Sequence, residues 1–271
     1  MTNDNEIFSF TVRHGDILYS LPFVKACLLK TGQIGTTLHL HTNVPHMFRG
    51  PNEPDSVMLT QSAAEFIQPL LDSQSWLKTT ISDSIPDGYF DLSNFRKLMK
   101  NFGSGSIPYW YLTCINEHVD IDCSIPSLDC KASTELKDKI IVCFTERYNP
   151  YKLDMNCLRD FREKLVFIGL PREHAQFEKK FFRIDYKLVE NALDIAKLMK
   201  GSKGVVANLG GNFAIAESIK CRRVCLWPDL MQYGGRLVVG PCNVLPQGGW
   251  WDIALTSDKL RKLVEELLCQ N

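Results

Sequence analysis

The feature that most constrains the fold is a stretch late in the chain, residues 205–218, which reads VVANLGGNFAIAES. It predicts a short buried strand, a turn at Gly210 and Gly211, and the first turns of a helix. At such a helix start the backbone N–H groups have no intrahelical partner, and the helix dipole is positive. The stretch therefore predicts either a turn that serves packing alone or a binding site for a phosphate group.

Apolar strands alternate with helical segments along the rest of the chain, and residues 120–134, which contain prolines, serines and cysteines, form a predicted linker. This alternation indicates parallel sheets covered by helices. We therefore expect an α/β protein with two Rossmann-like domains, residues 1–130 including the linker and residues 131–271. Ligands are expected beyond the carboxyl ends of the strands, in the cleft between the domains. The other predicted strands are 7–12, 36–42, 77–81, 139–144, 165–168, 184–188 and 223–226; the predicted helices are 17–29, 62–71, 92–101, 153–161, 173–181, 192–199 and one that starts at 257.

Composition excludes several classes of function. The chain of 271 residues has 31 Lys and Arg against 31 Asp and Glu, so nothing indicates a nucleic-acid partner. The start is polar, without the apolar region of a secretory signal, and no run approaches the ~18 apolar residues of a membrane span. We therefore expect a cytoplasmic protein without an integral membrane segment.

Cysteine and histidine spacing argues against a metal site. The ten cysteines are scattered and form no Cys-x-x-Cys pair, which predicts reduced and mostly buried thiols. His39 and His41 alternate, so they share one face of a predicted strand. However, no carboxylate or cysteine lies at a spacing that suggests a third ligand. We expect no metal.

Polar side chains follow three of the predicted strands, in the loops 13–16, 145–148 and 208–212. Asp16 comes just before a predicted helix, where it is either an N-terminal cap or a general base. His14 beside it is a second candidate base, a residue that orients one, or an ordinary loop histidine. Arg147 and Thr145 are candidates to bind a diphosphate, although a surface arginine fits the pattern equally well.

One further acidic residue, Glu173, begins a predicted helix after the segment Gly169-Leu170-Pro171. Its carboxylate either complements the helix dipole or accepts hydrogen bonds from a ribose, and the sequence alone favours the first interpretation.

In this order, the loops resemble those of the heptosyltransferase-like glycosyltransferases, which include the ADP-heptose:lipopolysaccharide heptosyltransferases. Residues 15–22, GDILYSLP, resemble the entry loop of that family, and residues 166–174, VFIGLPREH, resemble its strand–Gly–x–Pro–x–Glu segment. Residues 145–148 resemble a turn that contacts phosphate, and residues 208–217 resemble the late phosphate loop. The family's Asp-Thr-Gly-x-x-His is replaced here by Asn208-Leu209-Gly210-Gly211-Asn212-Phe213.

The resemblance implies a GT-B fold, with two Rossmann-like domains that face each other across a cleft. It also implies inverting, metal-independent transfer of a sugar from a nucleotide-diphosphate donor to a hydroxyl of a glycan, lipid-linked or protein acceptor. No cofactor is expected beyond the donor. The implied roles are general base for Asp16, supported by His14; diphosphate binding for Thr145, Arg147, Asn208, Gly210, Gly211 and Asn212; and ribose binding for Glu173.

Two other functions stay open at this point. The altered late loop is also compatible with a protein that binds a nucleotide sugar without catalysis. A sugar epimerase of the GT-B type would use the same donor site and need no acceptor.

Overall fold

The computed structural model describes residues 7–10, 14–45, 57–95, 107–115, 118–145, 153–226 and 248–269. Contacts divide the chain into two compact units. Unit 1 comprises residues 1–123 and 191–193, and unit 2 comprises residues 124–190 and 194–271. The expected domain boundary at residue 130 lies within unit 2.

Unit 1 contains a parallel sheet of four strands in the order β3-β2-β1-β4. Phe8 at the centre of this sheet pairs in register with Leu38 on one side and Phe90 on the other. The elements in chain order are β1 (Ile7–Phe10), α1 (His14–Thr31), β2 (Thr36–His41), α2 (Gln61–Asp72), β3 (Leu77–Ser82), β4 (Tyr89–Asp91), α3 (Ile107–Trp110) and a 3-10 turn (Tyr111–Cys114).

Local sequence explains both long helices of unit 1. The apolar positions of α1 that share a helical spacing, Leu18, Leu21, Val24 and Leu28, are all buried. Helix α2 begins after Thr60, whose hydroxyl accepts a hydrogen bond from the Ala63 N–H at 3.1 Å. This N-cap satisfies one of the backbone donors that every helix start leaves free.

Unit 2 contains a parallel sheet of six strands in the order β10-β9-β8-β5-β6-β7. Its central strands, β5 and β8, are buried along their whole length, as expected where helices cover both faces of a sheet. The elements are β5 (Ile140–Cys143), a 3-10 helix (Met155–Lys164), β6 (Leu165–Phe167), α4 (Pro171–Lys180), β7 (Asp185–Tyr186), α5 (Ala192–Gly201), β8 (Gly204–Asn208), α6 (Gly211–Ile219), β9 (Arg223–Leu226), β10 (Trp251–Ala254) and α7 (Ser257–Cys269).

Several predicted elements were wrong in type or extent. The helix predicted at 153–161 is a 3-10 helix, and its buried residues Met155 and Leu158 are three apart, which matches three residues per turn. Strands β4 and β10 were not predicted, because each is short and contains an aspartate, so neither forms a continuous apolar run. Helix α1 begins at His14 rather than at 17, and Pro22 lies in its interior.

Within the described ranges, no helix combines the length and the apolar composition that crossing a membrane requires.

Candidate functional site

The turn between β8 and α6 presents an open helix start. Gly210 precedes the helix in an extended conformation, with φ 169°, so its backbone does not require glycine. The first helical bond runs from the Ala214 N–H to the Gly210 carbonyl at 3.0 Å. The residue at the N-cap position, Gly210, has no side chain and so makes no capping hydrogen bond. The N–H groups of Gly211 and Asn212 therefore lack intrahelical partners, at the positive end of the helix dipole.

Asn208 joins the end of β8 to the chain that follows β5. Its Oδ1 accepts a hydrogen bond from the Thr145 N–H at 2.9 Å, and its Nδ2 donates to the Thr145 carbonyl at 2.5 Å. The residue is only 2% exposed. Its amide thus holds the backbone of Thr145, and any contribution to ligand binding through this contact is indirect.

Asn212 joins the same turn to the chain that follows β6. Its Nδ2 donates to the Ile168 carbonyl at 3.4 Å. Burial, and after it the charge of Glu173, raises the pKa of the Cys143 thiol, and the Asn212 side chain opposes this shift. The two asparagines together connect the turn after β8 to the ends of two neighbouring strands.

Glu173 caps α4. Its Oε2 accepts a hydrogen bond from the N–H of Leu170, the residue before the helix, at 3.0 Å. The turn needs glycine at position 169, because a Cβ there would lie 2.8 Å from the Phe167 ring and 3.0 Å from Glu173 Oε2. One carboxylate oxygen of Glu173 is therefore used in capping, at the helix start where the sequence favoured a carboxylate that complements the helix dipole.

Sequence reasoning missed two aromatic residues here, Tyr186 in β7, which holds this turn, and His174 in α4, which packs on it. The hydroxyl of Tyr186 donates to the Gly169 carbonyl at 3.0 Å. His174 in α4 stacks on the Tyr186 ring at 4.8 Å, and its Nε2 bonds the Ile184 carbonyl at 3.0 Å. The sequence carried no signal for these contacts, because they depend on which strand lies beside β6.

Asp16 lies in the first turn of α1, not in the loop before the helix as predicted, and it is 6% exposed. A carboxylate in a first turn complements the helix dipole. Its backbone carbonyl accepts a hydrogen bond from the hydroxyl of Tyr111 at 2.7 Å. Helix α1 begins at His14, but the side chain of His14 and the whole of Arg147 lie outside the described residues.

The two histidines of β2 hold the turn after β3. His39 Nε2 bonds the Ser84 carbonyl at 2.9 Å, and His41 Nε2 bonds the Asp83 carbonyl at 3.0 Å. Because a carbonyl only accepts, each Nε2 carries the hydrogen. His39 Nδ1 lies 2.9 Å from the Thr80 hydroxyl. Burial lowers the pKa of His39; the Ser84 carbonyl opposes this shift and His41 adds to it.

A metal site is not formed by these or other residues in the part of the chain that the structure describes. No group of three or more His, Cys, Asp or Glu side chains is placed to bind one ion there.

No protein-family model and no curated protein sequence matches the chain. Solved structures do match it. The family 9 glycosyl transferase from Veillonella parvula DSM 2008 aligns with a TM-score of 0.57 at 10% identity, over 99% of this chain and 98% of that one. E. coli heptosyltransferase WaaC with ADP aligns with a TM-score of 0.57 at 8% identity, over 97% and 100% of the two chains.

A third similar structure is E. coli ADP-heptose lps heptosyltransferase II, with a TM-score of 0.57 at 11% identity over 98% of both chains. The matches span nearly the whole of each protein and include both parallel sheets. As the resemblance of its loops predicted, this chain therefore has the α/β fold of the family 9 glycosyl transferase and of the ADP-heptose heptosyltransferases.

Proposed function

We propose that the chain is a GT-B-type glycosyltransferase that moves a sugar from a nucleotide-diphosphate donor to an acceptor hydroxyl, with inversion and without a metal. The observation that carries the proposal is the start of α6 beside Thr145, at the carboxyl ends of β5 and β8, where the N-cap residue is a glycine without a side chain. Ligands of open α/β sheets bind at this edge. Two proteins with this fold are named for ADP or ADP-heptose.

On the donor side, the N–H groups of Gly210, Gly211 and Asn212 bind the diphosphate, together with the Thr145 hydroxyl and Arg147. The positive end of the α6 dipole favours the same negative charge. Asn208 contributes by fixing Thr145 in place. Because Glu173 uses Oε2 in its helix cap, Oε1 is the oxygen that accepts from a ribose hydroxyl.

On the acceptor side, Asp16 is the general base, with His14 in support. Its carboxylate takes the proton of the acceptor hydroxyl, and that oxygen forms a bond to the anomeric carbon of the donor from the opposite face. The bond from the anomeric carbon to the diphosphate oxygen breaks, and its electron pair leaves with the nucleoside diphosphate. Fixed N–H donors and Arg147 stabilise the developing charge. Asp16 then releases its proton to solvent.

The test begins with thermal unfolding of the full chain in the presence of ADP, UDP, GDP and their hexose conjugates. A true donor stabilises the folded chain by about 2.7 kcal/mol at a concentration of about 100 Kd. The donor that binds is then incubated with candidate acceptors, or with water alone, and the released diphosphate is measured.

The variant Asp16→Asn should keep the thermal shift but lose about 10²–10⁴ in turnover, the usual contribution of a general base. Its matched control is Asp194→Asn, the same change in the first turn of α5, which should keep both. Turnover of Asp16→Asn at the parent rate contradicts the assigned base. Binding without product from any donor would indicate a non-catalytic nucleotide-sugar-binding protein, and free sugar without an acceptor an epimerase.

A further inference from the structure

Tyr111 makes a hydrogen bond to the backbone of the proposed base. It is fully buried and begins the 3-10 turn that follows α3. Its hydroxyl donates to the Asp16 carbonyl at 2.7 Å, across 95 residues of sequence. The bond reaches the main chain of Asp16 and does not involve its carboxylate.

The ring of Tyr111 also makes contacts with two neighbouring aromatic rings. It packs against Phe95 with the ring centroids 4.5 Å apart and stacks on Phe23 at 5.9 Å. Phe23 lies in α1, about two helical turns after Asp16. Tyr111 therefore contacts α1 at two points, one in its first turn and one further along. Two separated contacts limit both the rotation of the helix about its axis and its translation.

The start of α1 needs such support. The first turn of a helix lacks N-terminal hydrogen-bond partners and opens most easily. In α1 the interior Pro22 has no N–H, so the Leu18 carbonyl also loses its usual helical donor. The direction of a helical side chain follows its backbone. A loosened first turn would therefore move the Asp16 carboxylate, and a general base loses rate steeply with misplacement.

We propose that Tyr111 is a positioning residue, which holds the first turn of α1, and with it Asp16, through its hydroxyl. This inference rests on the proposed function only in so far as Asp16 is the base. The hydrogen bond from Tyr111 to the first turn of α1 is present whatever reaction the chain catalyses.

The variant Tyr111→Phe tests the inference, because it removes only the hydroxyl and keeps the ring contacts. The matched control is Tyr109→Phe, the same change two residues earlier, where the residue is 37% exposed. Hydrogen exchange of the full chain is measured for peptides covering residues 14–21 and 24–31. Turnover of the donor identified above gives kcat and KM.

For Tyr111→Phe we expect exchange of residues 14–21 to rise about tenfold, as the loss of one buried hydrogen bond predicts, with residues 24–31 unchanged. We also expect kcat to fall about tenfold while the donor KM stays within about twofold, the pattern of a lost transition-state interaction. Tyr109→Phe should match the parent in all of these.

Unchanged exchange at residues 14–21 in Tyr111→Phe overturns the inference, whether or not the chain transfers a sugar. A rise in exchange with an unchanged kcat also overturns it, since the held turn would then not position the base. An equal fall of kcat in Tyr109→Phe would show a general effect and overturn it too. If the parent transfers nothing, the proposed function fails, and the exchange measurement still decides the role of Tyr111.

Discussion

The start of α1 in unit 1 and the start of α6 in unit 2 both come after a strand and have a glycine in the first turn, yet they are held in place differently. Helix α6 is anchored by side chains of its own turn, because Asn208 and Asn212 bond the backbone beyond two neighbouring strands. Helix α1 is anchored by Tyr111, from a remote segment. The start of a helix can thus be held by hydrogen bonds from its own turn or by a hydrogen bond from a residue distant in sequence.

The same contrast extends to the charges of the two units. In unit 2, Arg223 is fully buried and bonds Glu217 at 2.6 Å, and Lys220 bonds the other oxygen of that carboxylate. This network fastens the end of α6 to β9. In unit 1, the ends of β2 and β3 are fastened by His39 and His41. Unit 2 therefore relies on buried charge, and unit 1 on imidazole hydrogen bonds to backbone carbonyls.

The largest expected effect tests the charged network of unit 2. Glu217→Ala leaves the buried Arg223 without its carboxylate, which should cost about 3–5 kcal/mol of unfolding free energy. The measurement is urea denaturation. The control, Lys187→Ala, breaks a partly exposed ion pair with Glu135 and should cost only about 0–1 kcal/mol. Equal losses for the two variants would refute the role assigned to the buried network.

A smaller effect is expected at the start of α6. Asn208→Ala removes both hydrogen bonds to the Thr145 backbone, so we expect a loss of about 2–3 kcal/mol. Asn212→Ala removes a longer bond to the Ile168 carbonyl and should cost about 1 kcal/mol. Both are measured by denaturation under the same conditions. The reverse order would mean that Asn212, not Asn208, is the main anchor of the turn.

The smallest expected effect is a loss of stability of unit 1 at acidic pH. Because burial lowers the pKa of His39 in the folded chain, the unfolded chain binds the proton more readily, and stability falls as pH drops below about 6.5. The loss is at most about 1.4 kcal/mol per pH unit for this one group and ends at the folded pKa. It is measured as hydrogen exchange of β2 and β3, corrected for intrinsic rates, between about pH 7.5 and about pH 5.5.

The variant His39→Gln keeps an amide donor near the Ser84 carbonyl but does not titrate, so it should flatten this loss. His118→Gln, at a side chain that is 80% exposed, should leave it unchanged. An acid loss that persists in His39→Gln would assign it to another group.

Much of the fold follows from patterns that lie within one element. Alternating apolar strands and helices predicted the parallel α/β architecture, and the local sequence predicted Glu173 at the start of a helix. The short edge strands β4 and β10 escaped detection, and the first turn of α1 was taken for a loop. A pattern needs several residues on one face before its period is visible.

The residues of the candidate site also differ in whether the sequence alone could predict their positions and contacts. The sequence by itself predicted Thr145 and the glycine turn at strand ends, and Asp16 near the start of a helix, since these positions depend only on element order along the chain. Only the tertiary structure decided that Asn208 bonds Thr145 and that Tyr111 bonds Asp16. The physical reason is that helix caps and periodicity arise within a few residues, whereas these hydrogen bonds depend on which strands and helices become neighbours in space.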